Sequence, residues 1–292
     1  MAEHDTGTIG ASTPHFMIIG AAKAGTTTLY DDLSRHPGVF MPSAKEPDIL
    51  HKADGDEAAR RLYALHFAGA APGQLRAEGS TGYTMVPTRP CVAARARALC
   101  GPGLKIIYLM RDPVARIRSQ LAHDYAVGRL ARAEYDAAIR DDPRYRELSD
   151  YAMQARPWIE AFGLEQILFL SFEEFVADRD ATLARVFEHL GLDPAGVRAG
   201  KGVSNPRGSQ RQTRFAWIDR VVRSAQYQGH IRPLLPRAMV DLGKSALTRR
   251  RPAPEVVLTP QTEAALARAF AGQAQELAAL GITTLPGRGA RR

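Results

Sequence analysis

Cysteine is almost missing from this chain: Cys91 and Cys100 are the only two in 292 residues. Two thiols make no disulfide framework, and neither has histidine or cysteine neighbours at metal-ligand spacing, so both are expected to be reduced structural thiols and no metal is expected. Long apolar runs are missing too, with nothing near the roughly 20 residues that span a bilayer. The segment before Pro14 is polar, with Glu3, His4 and Asp5, and lacks the basic start and apolar centre of a secretory signal, so the expected location is cytoplasmic. Lysine is scarce, six of the 39 basic residues. No zinc-finger, homeodomain or RNP-type signature occurs and the arginines are spread along the chain, which argues against nucleic acid as the partner. The formal net charge of +8 is better matched to a polyanionic nucleotide, attracted over long range.

What is present is an ordinary globular composition, 45% apolar and 24% charged. Short apolar runs alternate with longer amphipathic or Ala/Arg-rich stretches, the pattern of βαβ units. Strands are expected over 15–20, 38–41, 75–78, 104–110 and 166–171. Helices are expected over 26–35, 57–67, 87–99, 113–127, 150–162, 181–190 and 260–280. The strands are continuously apolar rather than alternating, as a sheet covered on both faces requires. The expected fold is α/β, a three-layer α/β/α sandwich around a central parallel sheet. A flexible segment over 1–13, a single domain over 14–286 and a basic tail over 287–292 complete the expected organisation. Beyond Gly200, stretches rich in Gly, Ser, Asn, Arg and Pro over 201–214, 232–237 and 248–254 read as long surface loops.

The first strand runs into Gly20-Ala21-Ala22-Lys23-Ala24-Gly25 and then a helix opening on Thr26, Thr27 and Thr28. Backbone N–H groups at such a helix start converge on an anion, and the helix dipole favours its charge. The glycine spacing matches a P-loop NTPase, but Thr26 stands where that motif needs lysine. The lysine comes three residues earlier, at Lys23, beside a bridging or leaving oxygen rather than over terminal phosphates. A plain glycine-rich turn with a solvated lysine is the alternative for this segment alone.

A second segment, Arg111-Asp112-Pro113-Val114-Ala115-Arg116-Ile117-Arg118-Ser119, begins where another buried strand ends. Asp112 is placed to cap the next helix, and Pro113 suits its first turn, where a missing N–H costs nothing. Ligands of open α/β sheets bind beyond the carboxyl ends of strands, so Lys23 and Arg111 can face one crevice. Arg111 can fork two hydrogen bonds onto a phosphate, with the Ser119 hydroxyl beside it. Taken alone, Arg-Asp-Pro would equally suit a capped helix start with Arg111 paired to a carboxylate.

Together these segments resemble the donor site of sulfotransferases that use 3′-phosphoadenosine-5′-phosphosulfate (PAPS), with the 5′-phosphosulfate loop at Gly20–Thr27 and the R-D-P-x-x-R-x-x-S motif at Arg111–Ser119. His36-Pro37, Lys45-Glu46-Pro47, Glu78-Gly79-Ser80-Thr81-Gly82-Tyr83, Ser171-Phe172-Glu173-Glu174-Phe175 and Phe187-x-x-Leu190-Gly191-Leu192 follow in the family's order. The resemblance implies that Ala22, Lys23, Ala24, Gly25, Thr26, Thr27 and Thr28 hold the 5′-phosphosulfate and that Arg111 and Ser119 hold the 3′-phosphate. Lys23 would neutralise charge on the bridging oxygen as the sulfuryl group leaves, with adenosine 3′,5′-bisphosphate (PAP) as product. Lys45-Glu46-Pro47 resembles the segment where heparan-type and many bacterial members place a catalytic glutamate, so Glu46 is the first choice of general base. His51 and His123 are second choices, because histidine titrates near neutrality.

Two positions depart from the family pattern: Gly82 stands where proline is usual, and Asp48-Ile49-Leu50 replaces the usual aromatic pair. The late basic loop that clamps the 3′-phosphate has no clean counterpart, with Arg207, Lys244 and the run Arg249, Arg250 and Arg251 as candidates. The expected function is sulfuryl transfer to a hydroxyl of a small-molecule, carbohydrate or lipid acceptor, with oligomeric state open. The alternatives are a P-loop-type kinase using ATP or a non-catalytic basic nucleotide- or nucleic-acid-binding protein.

Overall fold

Five parallel strands form one sheet: β1 (Phe16–Gly20), β2 (Val39–Phe40), β3 (Leu75–Gly79), β4 (Lys105–Met110) and β5 (Ile167–Ser171), in spatial order β2-β3-β1-β4-β5. They belong to a computed structural model that describes residues 12–131, 134–194, 196–200, 210–213, 248–251 and 255–287. Between and after the strands run α1 (Thr26–Leu33), α2 (Ile49–Lys52), α3 (Gly55–His66), α4 (Ala93–Cys100), α5 (Pro113–Ala126), α6 (Tyr135–Asp141), α7 (Arg144–Glu147), α8 (Tyr151–Phe162), α9 (Phe172–Ala177), α10 (Arg179–Leu190), α11 (Pro260–Ala269) and α12 (Gln273–Ala279). A separate antiparallel pair, β6 (Gln210–Thr213) and β7 (Thr248–Arg251), aligns Gln210 with Arg251 and Thr213 with Thr248.

Contacts divide the chain into a larger unit, which contains the five-stranded sheet, and a smaller one of Leu121–Tyr135 and Asn205–Val257. In the larger unit, Phe16 to Ile19 and Ile106 to Met110 are all fully buried. Successive strand side chains point to opposite faces, so total burial means that both faces are covered, and each large apolar side chain contributes about 1.5–3 kcal/mol. This is the expected three-layer α/β/α arrangement.

Polar side chains fix the ends of the elements. Asp112 Oδ1 accepts from Ala115 N at 2.7 Å at the start of α5, Asp150 caps α8 through Met153 N at 2.9 Å, and the Thr259 side chain accepts from Thr262 N ahead of α11. Inside, the fully buried Glu78 carboxylate accepts from Tyr63, Tyr83 and Ser80 hydroxyls, and buried Asp32 accepts from Arg179 at 2.6 Å. A buried carboxylate needs such donors, since an unpaired charge is costly away from water.

Several expected elements are trimmed or split. The helix expected over 87–99 begins at Ala93, because Pro90 would fall inside it, where its ring clashes with the preceding turn and disfavours helical backbone at Arg89. The expected 260–280 helix is two, α11 and α12, parted around Gly272. The strand expected over 38–41 keeps two residues. Helices α2, α6, α7 and α9 are four to seven residues long, too short for hydrophobic periodicity to announce them.

Three histidines make the larger unit acid-sensitive. His15 is held down to about 4 by burial and by Arg76, and its Nδ1 accepts from Arg76 N at 2.9 Å. Burial alone lowers His66 to about 4, and burial with Lys105 lowers His189 to about 4. The unfolded chain therefore takes up these protons near pH 6.5, before the fold does, so stability falls as pH drops from about 6.5 to about 4. Urea midpoints measured across that window should decline on acidification, and His66→Leu should flatten the decline. A midpoint independent of pH would contradict this account.

Candidate active site

The site lies where β1, β3 and β4 end together, with β1 between the other two. After β1 the chain breaks from the sheet, and Ala21 N donates to the Leu109 carbonyl of β4 at 2.7 Å, which anchors the loop base. Lys23 adopts a left-handed backbone at φ 71°, and Gly25 caps α1 at φ 91°. Ala24 is fully buried, so the loop is pinned between two points and its N–H groups gather at the start of α1. Thr28 is buried within the first turn, its N–H taken by the Gly25 carbonyl, while Thr27 at the loop end is only partly buried.

Arg111 leaves the end of β4 and turns back to this loop. Its Nη1 donates to the Lys23 carbonyl at 3.0 Å, and its guanidinium lies 4.6 Å from the Phe172 ring centroid. Stacking on an aromatic face holds a guanidinium while leaving donor edges for hydrogen bonds. Arg111 is thus a structural tie to the lysine-bearing loop, a role that sequence reasoning did not assign to it. Phe172 also closes the loop from the side: a Cβ at Gly25 would lie 2.8 Å from its ring.

Opposite the loop, Lys45-Glu46-Pro47-Asp48 is fastened to the end of β3 by Glu46 N donating to the Gly79 carbonyl at 3.0 Å and Asp48 N donating to Ser80 Oγ at 3.1 Å. Glu46 and Asp48 have left-handed backbones, at φ 60° and φ 58°. Among the described residues, Lys23, Glu46 and Asp48 are the only non-glycines with positive φ. Such conformations persist only where their surroundings over-determine them, and they gather at functional sites. The Thr81 hydroxyl donates to the Glu46 carboxylate at 3.0 Å. Lys45 Nζ donates to Thr27 Oγ1 at 2.9 Å, to Thr26 Oγ1 at 3.3 Å and to Glu46 Oε1 at 3.3 Å. Burial pulls the Lys45 ammonium below its ordinary range, against the upward pull of Glu46. One ammonium therefore joins the anion loop to the carboxylate.

His51 and Ser119 are not among these contacts. His51 Nδ1 faces Asp48 Oδ1 at 2.8 Å and its Nε2 faces the Pro90 carbonyl at 3.0 Å, so both nitrogens are engaged in holding the loop. Ser119 sits partly buried on α5 and takes no part in the hydrogen bonds above. The neighbouring Arg116 is fully buried and donates to Ser149 Oγ and the Tyr145 carbonyl, a packing role. His123 belongs to the smaller unit, as do Arg249, Arg250 and Arg251 on β7; Arg207 and Lys244 lie outside the described residues. Sequence reasoning missed the contacts of Lys45, Thr81 and Arg89. The last donates to Asp48 Oδ2 at 2.7 Å across Gly82, where a Cβ would lie 2.2 Å from Arg89 Nη1.

A family model described as a sulfotransferase domain matches residues 13–201. The chain is 30% identical over 191 residues to heparan sulfate glucosamine 3-O-sulfotransferase 3B1 of Mus musculus, which covers 61% of this chain and 46% of that protein. The chain thus spans about half the length of the curated relatives it matches. Among solved structures it is similar to a sulfotransferase from Alicyclobacillus acidocaldarius, with TM-score 0.56 and 28% identity over 67% of this chain and 88% of that one. The mouse sulfotransferase SULT7A1, crystallised with PAP, shares the fold at TM-score 0.50 and 17% identity, over 89% of this chain and 84% of that one.

The loop's dependence on Gly25 is open to test. Gly25→Ala both strains a left-handed backbone and drives a methyl group into the Phe172 ring. It should cost about 1–3 kcal/mol in urea unfolding, whereas Gly103→Ala, where a Cβ meets nothing within 4 Å, should cost much less. Equal effects would remove the loop–Phe172 contact from the account.

Proposed function

The chain belongs to the sulfotransferase family, and from that premise we propose that it transfers a sulfuryl group from PAPS to a hydroxyl of a small-molecule, carbohydrate or lipid acceptor. The observation that carries this reading is the chain of contacts from Thr26 and Thr27 through Lys45 to Glu46. It sets an anion-binding helix start and a carboxylate on two sides of one short gap. A donor phosphate and an acceptor hydroxyl need that separation of duties.

The residues suit such a donor: a polyanion meets Lys23, Lys45, Arg111 and the start of α1. When bound, PAPS supplies an already activated sulfuryl group, so the protein's task is positioning and charge stabilisation rather than covalent catalysis. Lys23 and the N–H groups at Thr26 and Thr27 hold the 5′ end, and Lys23 meets the negative charge that develops on the leaving oxygen. Arg111 and Ser119 hold the 3′-phosphate. Glu46 takes the proton of the acceptor hydroxyl, oriented by the Thr81 hydroxyl and by its own backbone bond to Gly79. His51, engaged on both ring nitrogens, keeps the loop in place. A kinase reading is weaker because Thr26 stands where a triphosphate-gripping lysine is needed. The cytoplasmic setting and bacterial-type character expected from the sequence stay part of this proposal.

The direct test is thermal melting with PAP in the absence of magnesium. PAP should raise the melting temperature, with about 2.7 kcal/mol of stabilisation at a hundredfold excess over Kd. In Arg111→Ala the affinity for PAP should fall far more than that for adenosine 5′-phosphate, measured by calorimetry. No stabilisation by PAP, or equal loss of both nucleotides, would count against the donor assignment.

Glu46→Gln keeps shape and hydrogen bonding but removes basicity. PAP binding should be unchanged and kcat should fall by about a hundredfold. Near-normal turnover in this variant, with His51→Ala or His123→Ala inactive, would transfer the role of base to that histidine.

A further inference from the structure

Building on this donor reading, we propose that Lys45 is a second donor-site cation, its ammonium engaging the sulfuryl oxygens rather than the phosphates. Three observations carry the assignment. The Lys45 ammonium touches Thr26 Oγ1 and Thr27 Oγ1 on one side and Glu46 Oε1 on the other. The first pair opens the helix that receives the donor phosphate, and the last is the group that faces the acceptor hydroxyl. A group passing between these two ends therefore passes the ammonium.

The side chain is also held there by the fold. Lys45 is 20% exposed and sits on a loop that two backbone-to-β3 bonds fasten, from Glu46 N to Gly79 and from Asp48 N to Ser80 Oγ. The left-handed backbones at Glu46 and Asp48 bend that loop over the helix start. Electrostatics supplies the exchange of partners. In the free protein the ammonium is satisfied by two neutral hydroxyls and one carboxylate. Sulfuryl oxygens bring negative charge to the same spot, and charge-assisted hydrogen bonds outweigh those to neutral hydroxyls. Lys45 forms no covalent bond and moves no proton; its part is to bear charge while Glu46 takes the acceptor proton and Lys23 meets the leaving oxygen. The three charged groups thus divide the task among the leaving oxygen, the sulfuryl oxygens and the acceptor proton.

Because PAP lacks the sulfuryl group, comparing PAPS with PAP isolates this contact. Lys45→Met should weaken PAPS by about tenfold or more while changing PAP by less than about threefold, and Lys45→Arg should keep PAPS within about threefold of wild type. With six lysines in the chain, amine-selective labelling read by mass spectrometry gives a second measure. Lys45 should be shielded by PAPS and much less by PAP, whereas Lys23 should be shielded by both. Melting of the ligand-free variants establishes that they fold. Equal weakening of both nucleotides, no weakening of either, or equal shielding by both would overturn the assignment of Lys45 and leave the donor reading intact. A wild-type chain that binds neither nucleotide would overturn the donor reading and this inference with it.

Discussion

Everything at this site depends on β1 and β4 being neighbours in a parallel sheet. Parallel pairing sends both chains out of the same sheet edge, and the register that places Gly20 opposite Tyr108 brings the two exits level. The Ala21 N–H to Leu109 carbonyl bond then holds the loop against the strand that delivers Arg111. From β1 the chain moves to one side, to β2 and β3, and later to the other, to β4 and β5. Such a reversal opens a crevice outside the strand ends, because the two flanking connections diverge. The apolar content of β1 and β4 is what secures this. Strands buried on both faces cannot slide without exposing a row of Ile, Leu and Met.

Onto that frame the protein places positive charge, and the problem is to keep it ordered without an anion. Each cation is given a neutral or internal partner for the resting state. Arg111 rests on the Lys23 carbonyl and the Phe172 face, and Lys45 rests on Thr26, Thr27 and Glu46. Hydroxyls and carbonyls are weaker partners than phosphate or sulfuryl oxygens, so they orient the side chains and, under the proposed function, would yield to a ligand. The Arg111 contact has a second consequence. The residue proposed to read one end of the nucleotide is bonded to the backbone of the lysine proposed to serve the other.

Much of this was legible in the sequence because it follows from short-range rules. A continuously apolar strand, a glycine-bounded turn and a threonine-led helix predict an anion cradle, and Asp112-Pro113 predicts a capped helix start. The strand, loop and helix and the capped start all occur, down to Asp112 Oδ1 accepting from Ala115 N. What stayed hidden depends on contacts between distant segments. Nothing in Lys45-Glu46-Pro47 says that its lysine reaches Thr26 and Thr27, nineteen and eighteen positions away. Nothing around His51 says that Asp48 and the Pro90 carbonyl engage both its nitrogens. Short helices such as α2 and α9 escaped for a related reason: with four and six residues they are set by tertiary packing, and periodicity has no room to declare itself.

The two departures from the family pattern lie side by side in the fold. Asp48-Ile49-Leu50 stands where the pattern has an aromatic pair, and Gly82 stands where it has a proline, next to Thr81, whose hydroxyl donates to Glu46. In the fold Arg89 crosses over Gly82 to reach Asp48, and Asp48 also binds His51. A side chain at position 82 would require that guanidinium to shift. The Arg89 guanidinium and the His51 ring thus share the two oxygens of the Asp48 carboxylate. The arginine and the aspartate are therefore paired beside the glycine. They give the wall next to the proposed base a polar, charged lining where the family pattern has an aromatic one. The donor loop follows the family's pattern closely while this wall departs from it, so under the proposed function the departure falls beside the proposed base rather than beside the donor.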